Sequence, residues 1–272
     1  MSSYSSERII MVRAAKLAGQ SLLADFARLS RLPISEKGPS DFVSSADIDA
    51  QNVLRTELAS AFPSYGFLLE EAVGGDAATS AQAPSDARFI IDPLDGTTNF
   101  LHGIPHFAVS VAFELQGEVV AGVVLNPTTS EVFWAERGGG SWLGEQRLHV
   151  STNADIARAV VGTGIPHLGR PMHDKFLTAL AKIMPQVAGV RRLGSAALDL
   201  AYVAAGRFDM FWEIGLSPWD IAAGTLLVQE AGGIVTACSG EPLGLGGPDI
   251  LAASSTKVHE RALVWLADVA AP

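Results

Sequence analysis

Phe89-Ile90-Ile91-Asp92-Pro93-Leu94-Asp95-Gly96-Thr97-Thr98-Asn99-Phe100 is the stretch that decides how this chain folds. Phe89, Ile90 and Ile91 read as a buried strand that delivers Asp92 to its C-terminal end, where layered α/β folds commonly bind ligands. Pro93 has no backbone donor and is expected to stop the strand. Asp95 is placed to cap a helix or turn beginning at Gly96, and Gly96 lets the backbone approach a ligand closely. The amides of Gly96, Thr97 and Thr98 are then free, and free amides at a helix start bind phosphate. Two carboxylates beside such a nest would repel a phosphate unless cations lay between them. Hard oxygen ligands suit Mg²⁺, which keeps several waters and completes its shell with phosphate oxygens. A purely structural account is open as well: an Asx-turn in which Asp92 serves only its own backbone. Enzymes that form an aspartyl-phosphate space two Asp residues two apart, whereas Asp92 and Asp95 are three apart around Pro93. The sequence has no Gly-Lys-Ser/Thr phosphate loop and no Gly-x-Ser-x-Gly nucleophile turn.

Outward from this stretch, helix and strand patterns alternate. Upstream, Ile10, Ala14, Leu17, Ala18, Leu22 and Phe26 recur at helical spacing behind Ser5-Ser6 as caps. Lys37-Gly38-Pro39-Ser40 is turn-like and Phe42-Val43 a short strand. Asp47 opens a second amphipathic helix through Leu54, Leu58 and Phe62, ended by Pro63-Ser64-Tyr65-Gly66. Phe67-Leu68-Leu69 is a buried strand running into Glu70-Glu71. Residues 72–87, rich in Ala, Gly, Ser and Asp, read as a mobile surface loop. Downstream, residues 107–150 form an antiparallel meander, with turns at Gln116-Gly117, Pro127 to Ser130, and Gly138 to Gly140.

Past residue 153 the period changes. A strand at Ala159 to Val161 precedes helices at 173–184 and 195–205 and a strand from Phe208 to Trp212. A helix from Pro218 to Glu230, strands at Ile234-Val235 and Ile250-Leu251, and a helix from Thr256 to Ala267 complete the chain. The expectation is a mixed α/β, αβαβα layered sandwich. An N-terminal lobe (1–153) would carry the meander and main acidic motif. A C-terminal lobe (154–272) would supply Glu213 and Asp220, the two forming one inseparable catalytic unit.

The 272 residues carry 19 Lys+Arg against 29 Asp+Glu, a formal charge of −10, so broad electrostatic binding to nucleic acid or anionic membranes is disfavoured. A 48% hydrophobic content is enough for a sizeable core. The single cysteine, Cys238, rules out an internal disulfide and a Cys-rich zinc site, which fits a reducing compartment. No apolar run approaches a membrane span, and the N-terminus is no signal peptide, so a cytoplasmic location is expected.

Other acidic residues stand at element ends, each with a plain alternative. Glu70-Glu71 could be surface decoration. Asp220, beside the start of a helix whose first turn holds Pro218, could be a dipole cap. Glu213 could hydrogen-bond sugar hydroxyls or simply be solvated. Their joint occurrence is what argues for a site. By contrast, Pro105 between His102 and His106 breaks the helical spacing that a shared metal-binding face needs. Arg191-Arg192 reads as a strand-end salt-bridge pair or interface, Trp134, Trp142 and Trp212 as core or dimer contacts, and Gly138 to Gly140 as a hairpin turn.

The run from Asp92 to Phe100 resembles a signature of the inositol monophosphatase family. Asp41-Phe42-Val43-Ser44-Ser45-Ala46-Asp47, Glu70-Glu71 and Trp219-Asp220-Ile221-Ala222-Ala223-Gly224 resemble its other motifs, in the same order. The likeness spans essentially the whole chain. It departs at Leu69, where Gly is usual, at Ala72, where Ser often follows, and in a link from Lys37 to Asp41 one residue short. Lys37 resembles a basic residue of the family's N-terminal active-site loop.

The resemblance implies the sugar-phosphatase fold and two Mg²⁺ ions, one held by Glu70, Asp92 and the Leu94 carbonyl and the other by Asp92, Asp95 and Asp220. A weaker third ion would lie near Glu70. Thr97, with Asp47 behind it, would orient the attacking water, and the Gly96 and Thr97 amides would hold phosphate. Gly194, Ser195, Ala196, Glu213 and Asp220 would line the alcohol side. The implied reaction is Mg²⁺-dependent hydrolysis of myo-inositol monophosphate or related polyol phosphates, lithium-sensitive and without a phosphoenzyme, in a homodimer. Sister phosphatases act instead on 3′-phosphoadenosine 5′-phosphate, fructose 1,6-bisphosphate or histidinol phosphate. Some bacterial members also partner the transcription machinery, and here a basic protein would suit the acidic surface better than RNA.

Overall fold

The structure is a computed structural model that describes residues 4–29, 34–38, 41–71, 86–168, 171–245, 247 and 249–270. Among the described residues, a seven-stranded and a five-stranded mixed sheet alternate with helices in five layers. The seven-stranded sheet runs in chain order: β3 (Gly66–Leu69), β4 (Ala87–Asp95), β5 (Ala108–Leu115), β6 (Glu118–Asn126), β7 (Glu131–Glu136), β8 (Gly140–Leu143) and β9 (Gln146–Arg147). Only β3 and β4 run parallel; the rest is the expected antiparallel meander. Helices α1 (Ser5–Phe26) and α2 (Ser45–Ala61) cover its outer face. A separate hairpin, β1 (Ile34–Gly38) with β2 (Asp41–Ser44), leads into α2.

The five-stranded sheet has the order β11 (Gly189–Arg191), β10 (Val160–Thr163), β12 (Met210–Ile214), β14 (Asp249–Ala253), β13 (Ile234–Thr236). Its outer face is covered by α4 (His173–Ile183) and α7 (Thr256–Ala270). Between the two sheets lie α5 (Ala196–Ala204) and α6 (Pro218–Glu230). A five-residue helix, α3 (Thr97–Leu101), follows β4.

The strands explain the layering. Successive side chains on a strand face opposite ways, so an apolar run buried on both faces feeds two cores. Phe89 and Ile91 pack under α1 and α2, while Ile90 packs against α5 and α6. In the second sheet Met210 and Trp212 face α4 and α7, and Phe211 faces the middle layer. The middle helices are therefore apolar on nearly all sides, as in Ala196-Ala197-Leu198 and Ile221-Ala222-Ala223. Among the described residues, no helix is long and apolar enough to cross a membrane.

Local expectations needed correction in several places. Pro93 does not stop the strand. β4 continues to Asp95, with its register against β5 shifting between Asp92 and Asp95, so Pro93 sits in a bulge where its missing donor costs no ladder bond. Lys37-Gly38 belongs to β1 rather than to a turn, while Pro39 and Ser40 lie outside the described residues. Ser44, not Asp47, caps the second helix. In α1 the buried stripe is Met11, Ala14, Ala15, Ala18 and Leu22, with Leu17 exposed, and Tyr4 precedes the helix. The segment 72–85 lies outside the described residues, and Ala87 already pairs within β4. Trp212 is core, as expected, whereas Trp134 and Trp142 are half-buried and stack on each other at 5.5 Å.

Candidate active site

The Asp92–Asp95 bulge turns two carboxylates in different directions. Asp92 is buried, and the Leu94 amide donates to its Oδ1 at 2.9 Å. This is the Asx-turn of the structural account, but it occupies one oxygen only. Burial drives the Asp92 carboxyl well above the ordinary range. Glu70, Asp95 and Asp220 push it further, with Glu70 also in hydrogen-bond contact. Glu70, Asp95 and Asp220 thus all act on Asp92, which joins three separate stretches of chain.

Asp95 does not cap the helix beginning after Gly96. Its Oδ2 instead accepts from Ser195 Oγ and from the Ala197 amide, each at 2.7 Å, at the start of α5. Burial raises its pKa, while the hydrogen bonds from Ser195, Ala197 and Ala196 and the Arg192 guanidinium lower it. Gly96 takes the position before α3 with φ +97°, a conformation that L side chains rarely adopt. A Cβ there would also meet the Gly194 carbonyl at 3.1 Å and the His106 carbonyl at 3.2 Å. The bulge is in this way docked against the segment 193–197 from the other half of the chain. Asn99 completes the joint, its Nδ2 donating at 2.8 Å to both the His106 and Leu193 carbonyls.

Thr97 Oγ1 lies 3.0 Å from the Leu94 carbonyl and 3.3 Å from Asp47 Oδ1, and donates to these acceptors. Asp47 is completely buried, and its Oδ2 accepts from the Ser44 amide at 2.8 Å and the Ser44 hydroxyl at 2.7 Å. Asp220 repeats this pattern on α6, with the Ser217 amide donating to its Oδ2 at 2.7 Å. Glu70 follows β3, and its amide donates to the Ile91 carbonyl at 3.2 Å. Glu213 lies within β12, one residue before its end. Its carboxylate fills the space over Gly164, where a Cβ would collide with it. Gly194, Ser195 and Ala196 form the turn and cap that present α5 to Asp95.

Sequence reasoning missed three residues here. Asp199 is buried on α5, and burial first, then Glu213 and Asp95, raise its carboxyl well above the ordinary range. The signal was a lone charge in the apolar helix Ala196-Ala197-Leu198-Asp199-Leu200-Ala201. Gln51, a buried polar residue four positions after Asp47, and Asn99 were legible in the same way. Arg192, read as a salt-bridge or interface residue, has its guanidinium against Gly194 and acts on Asp95 and Asp199. His102 and His106 share no helix face, since α3 ends at Leu101.

Among the described residues, no three His, Cys, Asp or Glu side chains form a ready-made metal cage. Asp92, Asp95 and Asp220 each turn one oxygen onto a protein donor. The donor chemistry nevertheless fits a hard divalent cation. The ligands available are carboxylates and a carbonyl, and their mutual repulsion in a buried setting favours a cation among them.

Residues 4–269 match the model of the inositol monophosphatase family. An inositol-1-monophosphatase of Mesorhizobium japonicum is 52% identical over 257 residues, covering 94% of this chain and 93% of that protein. The Nus factor SuhB of Pseudomonas aeruginosa is 45% identical over 233 residues, 85% of each chain. The crystal structure of the extragenic suppressor protein suhB from Bartonella henselae superposes with a TM-score of 0.92 at 46% identity, covering 96% of this chain and 98% of that one. The protein is a phosphatase with a layered α/β fold. It belongs to the inositol monophosphatase family.

Proposed function

We infer that the protein hydrolyses myo-inositol monophosphate and related polyol or sugar phosphates in a Mg²⁺-dependent reaction that passes the phosphoryl group directly to water. The observation that carries this reading is the convergence of Glu70, just past the end of β3, with Asp95 and Asp220 on the buried Asp92, beside the Gly96–Thr97 turn. The substrate class is supported by the relatives named inositol-1-monophosphatase.

Glu70, Asp92, Asp95, Asp220 and the Leu94 carbonyl would hold two Mg²⁺ ions, with a weaker third near Glu70. Bound there, the ions would supply Lewis acidity and neutralise charge on the phosphoryl, attacking and leaving oxygens. Thr97 spends its proton on the Leu94 carbonyl or Asp47, so its oxygen lone pairs are left to accept a hydrogen bond from the attacking water and aim it. The amides of Gly96 and Thr97 would hold phosphoryl oxygens. Gly194, Ser195, Ala196 and Glu213 would line the alcohol side. Asp220 would position the proton donor to the departing alcohol oxygen. As the water oxygen bonds to phosphorus, the ester P–O bond breaks and the alcohol leaves with that proton. A homodimer and inhibition by Li⁺ belong to the same reading.

Phosphate release from a substrate panel, with and without Mg²⁺, tests it. Inositol monophosphate should lead the ranking by kcat/KM over 3′-phosphoadenosine 5′-phosphate, fructose 1,6-bisphosphate and histidinol phosphate, and Asp95→Asn should abolish turnover. Metal-indifferent activity, or wild-type kcat in Asp95→Asn at saturating Mg²⁺, would overturn it. A second reading, a non-catalytic partner of the transcription machinery, is favoured by the Nus factor name of the Pseudomonas relative. Retention of the same lysate proteins by wild type and Asp95→Asn would separate that role from catalysis.

A further inference from the structure

The helix that carries Asp47 carries Gln51 one turn further along, on the same buried face as Ala46, Ala50, Leu54 and Leu58. Gln51 is 1% exposed. A carboxamide in such a face is costly unless its groups are bonded. Gln51 satisfies this condition on a single residue: Nε2 donates to the Glu71 carbonyl at 2.9 Å, and Oε1 accepts from the Glu71 amide at 3.0 Å. The exchange copies what a neighbouring antiparallel strand would offer.

The placement matters because β3 ends at Leu69, and its ladder with β4 stops at the Leu69–Ile91 pair. One residue later the Glu70 amide still reaches the Ile91 carbonyl, and at Glu71 the Gln51 amide takes over from the other side. Glu70 is thereby bracketed, with β4 holding its own amide and α2 holding both polar groups of its successor. Its carboxylate meets Asp92.

We propose that Gln51 is a positioning residue for the Glu70 carboxylate, and that α2 works as a jig. Asp47 sets Thr97, Gln51 sets Glu70, and the helix turn between them sets their spacing. The proposal rests on the metal-dependent reading above. Groups that orient a metal ligand from behind typically contribute about 10–100-fold in metal affinity.

The test uses the full chain with Mn²⁺ as probe, titrated by electron paramagnetic resonance without substrate, alongside the Mg²⁺ dependence of phosphate release and the melting temperature without metal. Gln51→Leu should raise the Mn²⁺ dissociation constant and the half-activating Mg²⁺ concentration together, by about tenfold or more. Turnover should recover in large part at saturating Mg²⁺. Gln51→Glu keeps the acceptor for the Glu71 amide but not the donor, and should fall between. A folded Gln51→Leu that titrates Mn²⁺ as wild type does, even with a lowered melting temperature, would overturn the proposal. If Gln51→Leu does not fold, the same titration of Gln51→Glu decides. Wild type that binds no Mn²⁺ would remove the metal reading and this proposal with it. Wild-type binding with unchanged variants would remove the role of Gln51 alone.

Discussion

Helices α2 and α6 begin with the same local device, a Ser-x-x-Asp capping box. Ser44 holds Asp47, and Ser217 holds Asp220, in each case through a serine amide donating to Oδ2 within 2.8 Å. Read locally, both aspartates are the third-position members of a capping box and nothing more. Their tertiary neighbours separate them: Asp47 Oδ1 accepts from Thr97 at 3.3 Å, while Asp220 acts on the buried Asp92 across the layer boundary. The capping box engages one carboxylate oxygen of each aspartate, and the rest of the group answers to its tertiary surroundings. The structural and functional readings of such a residue are therefore not rivals, and the tertiary neighbour decides what else the carboxylate does.

Substitutions can break this comparison. Asn keeps an acceptor oxygen for the Ser217 amide, so Asp220→Asn should leave the melting temperature nearly unchanged. It should cost turnover about a thousandfold or more, since metal-held charge is worth several kcal/mol and each ~1.4 kcal/mol is tenfold. Activity near wild type would make Asp220 a cap only. On the Asp47 side, Thr97→Ala should lower kcat about a hundredfold, the scale of one positioned catalytic group, with the Mn²⁺ dissociation constant unchanged. Equal losses in both would reject its role with water.

Stability experiments sharpen the same contrast. Ser44→Ala removes the hydroxyl bond to Asp47 Oδ2 and a buried cap, and should cost about 1–2 kcal/mol in denaturant unfolding, together with part of the activity. Ser217→Ala keeps the amide bond to Asp220 and should cost about 1 kcal/mol or less, with activity nearly intact. Reversal of that order would mean the boxes differ in some other respect.

The smallest effect concerns a region remote from both caps. Burial holds His259, bonded to Thr236 at 2.8 Å, below the ordinary histidine value of 6.5. As pH falls the unfolded chain takes up this proton first, so the contribution of His259 is complete above 6.5 and is lost below it. The raised carboxyls of Asp92, Asp95 and Asp199 run with the opposite sign, favouring the fold at lower pH. The readout is therefore a difference. Between pH 7.5 and 5.5, wild type should lose more melting temperature than His259→Gln. Parallel curves would contradict a buried neutral imidazole.

What could be read in advance follows the range of the forces involved. Strand β4 was legible because burial on both faces writes itself into consecutive apolar residues, Phe89, Ile90 and Ile91, whose division between two cores only the structure shows. The meander was legible from its turn residues. The bulge at Pro93 was not, since a missing donor ends a strand or bends it depending on what β5 offers opposite. Asp95 was misassigned because a local cap and a bond to Ser195, 100 positions away, look alike from the sequence. Gln51 and Asp199 were missed: each is a polar residue on a buried helix face, but what each meets there, the Glu71 backbone and the Glu213 charge, comes from distant stretches of chain.

The most direct test of the account is anomalous scattering from crystals of the full chain grown with Mn²⁺. Peaks are expected among the carboxylates of Glu70, Asp92, Asp95 and Asp220, and should disappear in Asp95→Asn or shrink to one. A wild-type enzyme that requires metal for phosphate release yet shows its Mn²⁺ elsewhere would contradict the assignment of this acidic centre.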